Sequence, residues 1–244
     1  MGYGLTISAA MTKEFAGAAV RSMSPVHRRG AVFYASLPDD SETCRELLIA
    51  TLWEHLLATA GHPWSYGRPS GRAAGPIQVV YGPLGRPSTR LGEDRGPAIS
   101  FSTAGGRVWA ALASDESAIG IDLAGAEEFQ GQYPVERVFH PEELQHAEKL
   151  AGGNMAAAAA LLWSTKEAVV KALGCGFHLV DPRQITVHPS ASDCGGQTFP
   201  VSLSGKARMR FPRASGPALW VHSLAQGDMW LSIALLQRKP AVHG

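Results

Sequence analysis

The sequence predicts an α+β fold in two similar halves, roughly residues 1–117 and 118–244. Three observations point there. Segments patterned as strands and helices follow one another as strand, helix, several strands, helices and strands again, not in the strict alternation of an α/β protein. Long helical patterns occupy Ser41–Ala60 and the stretch from Asn154 to Phe177. Near the end, Arg183–His188, Gln197–Ser204, Ala218–Leu224 and Met229–Gln237 alternate apolar and polar residues, as strands of a second antiparallel sheet would.

Taken in order, Met11–Met23 reads as a short helix and Ala31–Ala35 as a strand, with the basic cluster His27, Arg28 and Arg29 between them. In Ser41–Ala60, Leu47, Leu48, Thr51, Leu52, His55 and Leu56 recur at helical spacing, and His55 reads as a packing histidine. Residues 61–76 are a Gly-, Pro-, Ser- and Arg-rich loop, Ile77–Tyr81 a strand, and Gly82–Arg95 again Gly-, Pro- and Arg-rich. Ala98–Ser102 and Arg107–Ala113 form a hairpin turned by Thr103–Gly106. Ala118–Leu123 is a short apolar run ending near Asp122, which reads as a buried strand delivering a carboxylate to its end. Val135–Leu150 is helical, with Pro141 at a first position and Glu142 and Glu143 complementing the helix dipole. Asn154 caps the next helix and Gly174 stops it. Cys175 lies in the turn that follows and reads as structural, and Lys206, Arg208, Arg210 and Arg213 lie in a basic loop.

Composition excludes several classes. With 244 residues, 45% hydrophobic and 18% charged, the chain can bury one large or two small cores. A net charge of +1 argues against nucleic acid or a membrane surface as partner. The three cysteines, Cys44, Cys175 and Cys194, are widely spaced, which suits a reducing cytoplasm and neither a disulfide framework nor a zinc site. No apolar run reaches the ~18 residues a membrane span needs. The N-terminus lacks the basic and apolar regions of a secretion signal. A cytoplasmic location is therefore expected.

The chemistry gathers on the helix after Asn154. At about 100° per residue, Ser164, Glu167 and Lys171 share one face, while Leu162, Val169 and Leu173 share another that reads as core. A Glu–Lys pair four apart is ordinarily a surface pair worth ~0.2–0.5 kcal/mol. Asp122 on a separate strand gives it a second meaning. Two carboxylates on separate rigid elements can share a hard cation such as Mg²⁺, whose other positions go to water and phosphate oxygens, and a nearby lysine suits the phosphate charge.

Three blocks then carry a resemblance: Gly120-Ile121-Asp122, Arg137-Val-Phe-His-Pro-Glu-Glu-Leu144 and Trp163-Ser-Thr-Lys-Glu-Ala-Val-Val-Lys171. In order and spacing they resemble the (I/V)-G-(I/V)-D, F-x-x-E-E-L and W-(S/A)-x-K-E-(A/S)-x-x-K blocks of the 4′-phosphopantetheinyl transferases, and the chain looks like a larger, surfactin-synthetase-type member. Gly85-Arg86-Pro87 resembles the G-(K/R)-P element of that family. The resemblance implies a pseudo-twofold pair of α+β halves with a coenzyme A cleft between them. It implies transfer of the 4′-phosphopantetheine arm to a serine of an acyl, polyketide or peptidyl carrier protein, releasing 3′,5′-ADP. Asp122 and Glu167 would hold Mg²⁺, Glu167 would help remove the serine proton, and Lys171 would attend the departing phosphate. Arg86, Ser102, Thr103, Lys166 and Lys171 would contact coenzyme A. A chain of two halves would be complete as a monomer.

Two departures accompany the match. Thr103 stands where the family has a phosphate-binding histidine, and a hydroxyl offers only a neutral bond, roughly half as strong as a charge-assisted one. Ala124 stands where larger members often carry a second acid; Glu127 and Glu128 follow closely. The departures sustain a rival reading, a catalytically weakened homologue that binds coenzyme A or a carrier protein.

Overall fold

In the computed structural model, residues 19–23, 32–38, 41–60, 76–82, 85–113, 117–131, 133–193, 196–214 and 218–237 are described. The basic cluster at His27–Arg29, the 61–75 loop, Cys194 and most of the expected Met11–Met23 helix lie outside them; of that helix, Arg21–Met23 is strand. The chain divides into two compact units, Met1–Ser117 and Ala118–Gly244.

The first unit is built on a helix that has to hide one side. In α1 (Glu42–Ala60), Leu48, Ile49, Leu52 and Leu56 are fully buried, and they share a core with Phe33, Ala35 and Leu37 of β2 (Val32–Pro38). Val108, Ala110 and Leu112 of β7 (Arg107–Ala113) complete that core. Ser41 starts the helix by accepting the Cys44 N–H. The sheet runs β1 (Arg21–Met23), β2, β7, β6 (Ile99–Ala104), antiparallel throughout. Gly105 and Gly106, both at positive φ, turn β6 into β7, as a two-residue hairpin requires.

Between α1 and β6 a small three-stranded meander departs from the loop expected over 82–95: β3 (Ile77–Tyr81), β4 (Pro87–Leu91) and β5 (Asp94–Arg95). The Gly and Pro content that reads as loop is spent on its corners. Gly85 donates to the Gly82 carbonyl at 2.9 Å, Pro87 opens β4 where no earlier ladder donor is needed, and the buried Thr89 hydroxyl donates to the Pro97 carbonyl.

The second unit is built on its own antiparallel sheet. Here β8 (Ala118–Gly125) pairs with β13 (Met229–Leu236), and the order is β10 (Ala191–Asp193), β11 (Gly196–Leu203), β12 (Leu219–Gln226), β13, β8. β9 (Ile185–Val187) pairs with the far end of β11. The expected helix over Val135–Leu150 is two, α2 (Val135–Val138) and α3 (Pro141–Leu150), because Pro141 cannot donate back into a preceding turn. α4 (Met155–Leu173) crosses β8 and β13; Asn154 accepts the Ala157 N–H at 3.1 Å and Gly174 ends it at φ 75°. The basic segment expected as loop contains a short helix, α5 (Gly205–Arg210), pinned by the buried Ala207 and exposing Met209. No helix among the described residues is long and apolar enough to cross a membrane.

Candidate functional site

The site begins with a missing side chain. Along β8 the side chains alternate, so Gly120, Asp122 and Ala124 share a face. A Cβ on Gly120 would collide with the Ala168 carbonyl and lie 2.7 Å from the Ala172 N, both backbone atoms of α4. The glycine therefore lets helix and strand backbones touch, and the next residue on that face, Asp122, is pressed against α4. Asp122 is not at the strand end, as the apolar run suggested. It sits mid-strand opposite Ser232, because the pairing with β13 continues to Gly125.

Close packing brings the α4 charges to it. The Lys171 Nζ donates to Asp122 Oδ1 at 2.7 Å and to the Ile121 carbonyl at 3.0 Å. Of the two side chains, 30% of Lys171 and 10% of Asp122 remain exposed, so the pair is reachable from solvent. Glu167 is half-buried one turn earlier. Burial raises its carboxyl above the usual range, the Asp122 charge raises it further, and Lys171 pulls it back. The Asp122 charge thus acts on the Glu167 carboxyl, which places the two carboxylates within electrostatic reach of each other. Such an all-oxygen pair fits Mg²⁺, which accepts one or two protein carboxylates and fills its other positions with water and phosphate. Among the described residues no group of three or more His, Cys, Asp or Glu side chains forms a ready-made cage. Ala124 is fully buried in an apolar cluster with Phe129 and Phe139 and supplies no ligand, and Glu128 accepts the Gly125 N–H at 2.9 Å through one carboxylate oxygen.

Beneath the charges lies a row of hydroxyls that sequence reading missed. Ser223, Ser232 and Asp122 stand directly opposite one another across β12, β13 and β8. Ser232 shares hydrogen bonds of 2.8 Å with both Ser223 and Ser164, and Thr165 lies 3.3 Å from Ser223. All four hydroxyl side chains are fully buried. Ser164 does share the face of Glu167 and Lys171, and it uses its place to join the helix to the sheet. Ser232→Ala should cost about 1–3 kcal/mol, since it leaves buried hydroxyls short of a partner. The check is a denaturant midpoint that falls at unchanged slope.

The other expected contacts are spread more widely. Lys166, which the resemblance places near coenzyme A, has no exposed surface. Its Nζ donates to Glu143 at 2.9 Å and to the Pro182 carbonyl at 3.0 Å. A buried ammonium with its donors spent is at odds with a coenzyme contact. Glu143, read from sequence as dipole complement, does accept the His140 N–H at 2.9 Å, but it also takes this lysine. In the first unit Arg86 is exposed at the start of β4. Ser102 and Thr103 are consecutive on β6 and point to opposite faces, Ser102 buried and Thr103 exposed, so one surface of the sheet cannot present both. Ser102 stands opposite Trp109, whose buried indole N–H has no hydrogen-bond partner among the described residues.

Residues 118–208, which contain all three sequence blocks, match the model of the 4′-phosphopantetheinyl transferase superfamily. No curated protein matches the chain. Two solved structures are similar to one part of it. One, described as a Chronobacterium ammoniagenes ACPS–CoA complex, is 22% identical with a TM-score of 0.42, covering 51% of this chain and 99% of that one. The other, an apo-ACPS from the same organism, is 23% identical with a TM-score of 0.40, covering 50% and 98%. The superfamily match thus falls on the second unit, where Asp122, Glu167 and Lys171 meet.

Proposed function

We propose that this chain is a phosphopantetheinyl transferase that moves the 4′-phosphopantetheine arm of coenzyme A to a serine of an acyl, polyketide or peptidyl carrier protein. The observation that carries the reading is the convergence of Asp122, Glu167 and Lys171 within the segment that matches the superfamily. The serine Oγ forms a bond to the phosphorus on the pantetheine side of the pyrophosphate. The phosphoanhydride bond breaks and 3′,5′-ADP leaves. Asp122 and Glu167 would hold Mg²⁺, which when bound neutralises charge on the pyrophosphate. Glu167, its affinity for a proton raised by burial, is suited to accept the serine proton directly or through water. Lys171, its side chain 30% exposed, is assigned to the departing phosphate, whose growing charge an ammonium would offset.

On the first unit, Arg86 and Ser102 are assigned to the coenzyme, with the buried Trp109 indole N–H as a further donor beside Ser102. Thr103, on the other face of β6, is assigned a lesser part. The exposed Lys206, Arg208, Arg210 and Arg213 around Met209 suit an acidic partner surface. The test is mass spectrometry of apo carrier proteins from fatty-acid, polyketide and peptide synthases, incubated with the chain, coenzyme A and Mg²⁺. A gain of one phosphopantetheine that chelator abolishes is expected. Coenzyme binding without any gain would favour the weakened-homologue reading instead.

A further inference from the structure

Lys166 and Glu143 form a buried ion pair far more elaborate than a helix cap needs. The Lys166 Nζ lies 2.9 Å from Glu143 Oε2, with side chains 0% and 2% exposed. It donates also to the carbonyls of Val138 and Pro182, and it lies 5.4 Å from the Phe139 ring centroid. Glu143 accepts the His140 N–H through one oxygen and the Val187 N–H, at 2.6 Å, through the other. The His140 ring completes the knot at 2.8 Å from the Arg183 carbonyl. One pair therefore ties together the α2–α3 corner, α4 and the chain entering β9.

Such a pair is poorly explained by stability, because well-packed apolar residues of similar volume usually do as well or better. It is better explained by orientation. A lysine whose donors are directed at three fixed acceptors allows its helix little rotation. The next residue is Glu167, about 100° round the axis on the side of β8. We propose that Lys166 is a positioning residue: anchored on Glu143 and the Val138 and Pro182 carbonyls, it sets the rotation of α4 that turns the Glu167 carboxylate toward Asp122. The inference rests on the metal role given to those two carboxylates above. It makes Lys166 act on metal affinity and turnover without touching coenzyme A.

The test uses Mn²⁺ as probe, titrated into the full chain and followed by electron paramagnetic resonance. The variants are Lys166→Met, Lys166→Arg and the double Lys166→Met/Glu143→Gln. The double removes both charges while glutamine still accepts from Val187, so it is designed to stay folded. Arginine keeps the charge but not the geometry. All three should bind Mn²⁺ at least ~10-fold more weakly than wild type, the size of effect that supporting partners of metal ligands have. Metal-free coenzyme A affinity, by calorimetry, should stay within ~2-fold, since a side chain without exposed surface cannot supply it. A folded double or arginine variant with wild-type Mn²⁺ affinity overturns the inference. So does a fall in coenzyme affinity alone, which would make Lys166 a coenzyme contact, or loss of the fold in all three, which would make the pair a folding determinant only. A wild-type chain that binds no Mn²⁺ overturns the metal reading itself, and the inference with it.

Discussion

Glu167→Gln is expected to lower phosphopantetheine transfer by at least ~10²–10³ while raising the melting temperature of the metal-free protein. The two effects have one cause. Folding buries the Glu167 carboxyl and sets it near the negative Asp122, and both raise its proton affinity above that of the unfolded chain. A carboxyl whose folded value is raised contributes stability at low pH, and that contribution is lost as pH rises through the raised value. Above the raised value the ionised Glu167 is thus a liability of the fold, only partly offset by Lys171. Glutamine removes the charge, the liability and the proton acceptor together, the usual exchange of stability for function at an active site. Magnesium should reverse the order: it should stabilise wild type by mass action and leave Glu167→Gln nearly unmoved. Asp122→Asn should be equally inactive but gain no stability, because it strips Lys171 of its 2.7 Å partner. Thermal melts across pH with and without Mg²⁺, beside single-turnover transfer, separate these cases. A Glu167→Gln protein that melts below wild type without metal, at a pH above the raised value, would show that the charge is not a cost to the fold.

The parts of this site legible in sequence are those encoded within one element. Asn154, Gly174 and the apolar stripe between them delimit α4 because capping and periodicity are local. The same locality puts Glu167 and Lys171 on one face. What escaped depends on partners far along the chain. Lys166 meets Glu143 from 23 residues away, across the turn between α3 and α4, and nothing in either helix's own pattern announces it. The Ser164–Ser232–Ser223 row needs the β12–β13–β8 register, and small polar residues in an apolar helix read equally well as surface. An acid ordinarily stops an apolar run, which puts Asp122 at a strand end in the sequence, whereas β8 stays buried through to Gly125. Composition misled in the 82–95 stretch, where Gly85 and Gly92 mark the corners of a narrow meander and not a long loop. Ser102 and Thr103 come together only through a family resemblance that implies no facing, whereas both lie on β6 and its alternation sends neighbouring side chains to opposite faces.

Gly120→Ala should be the most damaging single methyl in the second unit. In an ordinary strand the change would help, since alanine restricts the unfolded chain and gains roughly 0.5–1 kcal/mol. Here the new Cβ meets the Ala168 carbonyl and the Ala172 N, and neither can swing aside as a side-chain tip would. Close-packed interiors yield to such a methyl only by moving an element, and overpacking of this kind costs about 3 kcal/mol or more. For a chain this size that is a fall of roughly 6–12 °C in melting temperature. The element that must move is α4, which carries both Glu167 and Lys171, so the damage should not stop at stability. Displacing the helix from β8 opens the Lys171–Asp122 contact and parts the two carboxylates. Transfer should therefore be lost even at temperatures where Gly120→Ala is fully folded, and Mn²⁺ affinity should fall with it. A variant that melts within a degree or two of wild type would show that the helix can ride over the methyl. One that melts early but keeps wild-type Mn²⁺ affinity would show that the carboxylates do not depend on this contact for their spacing.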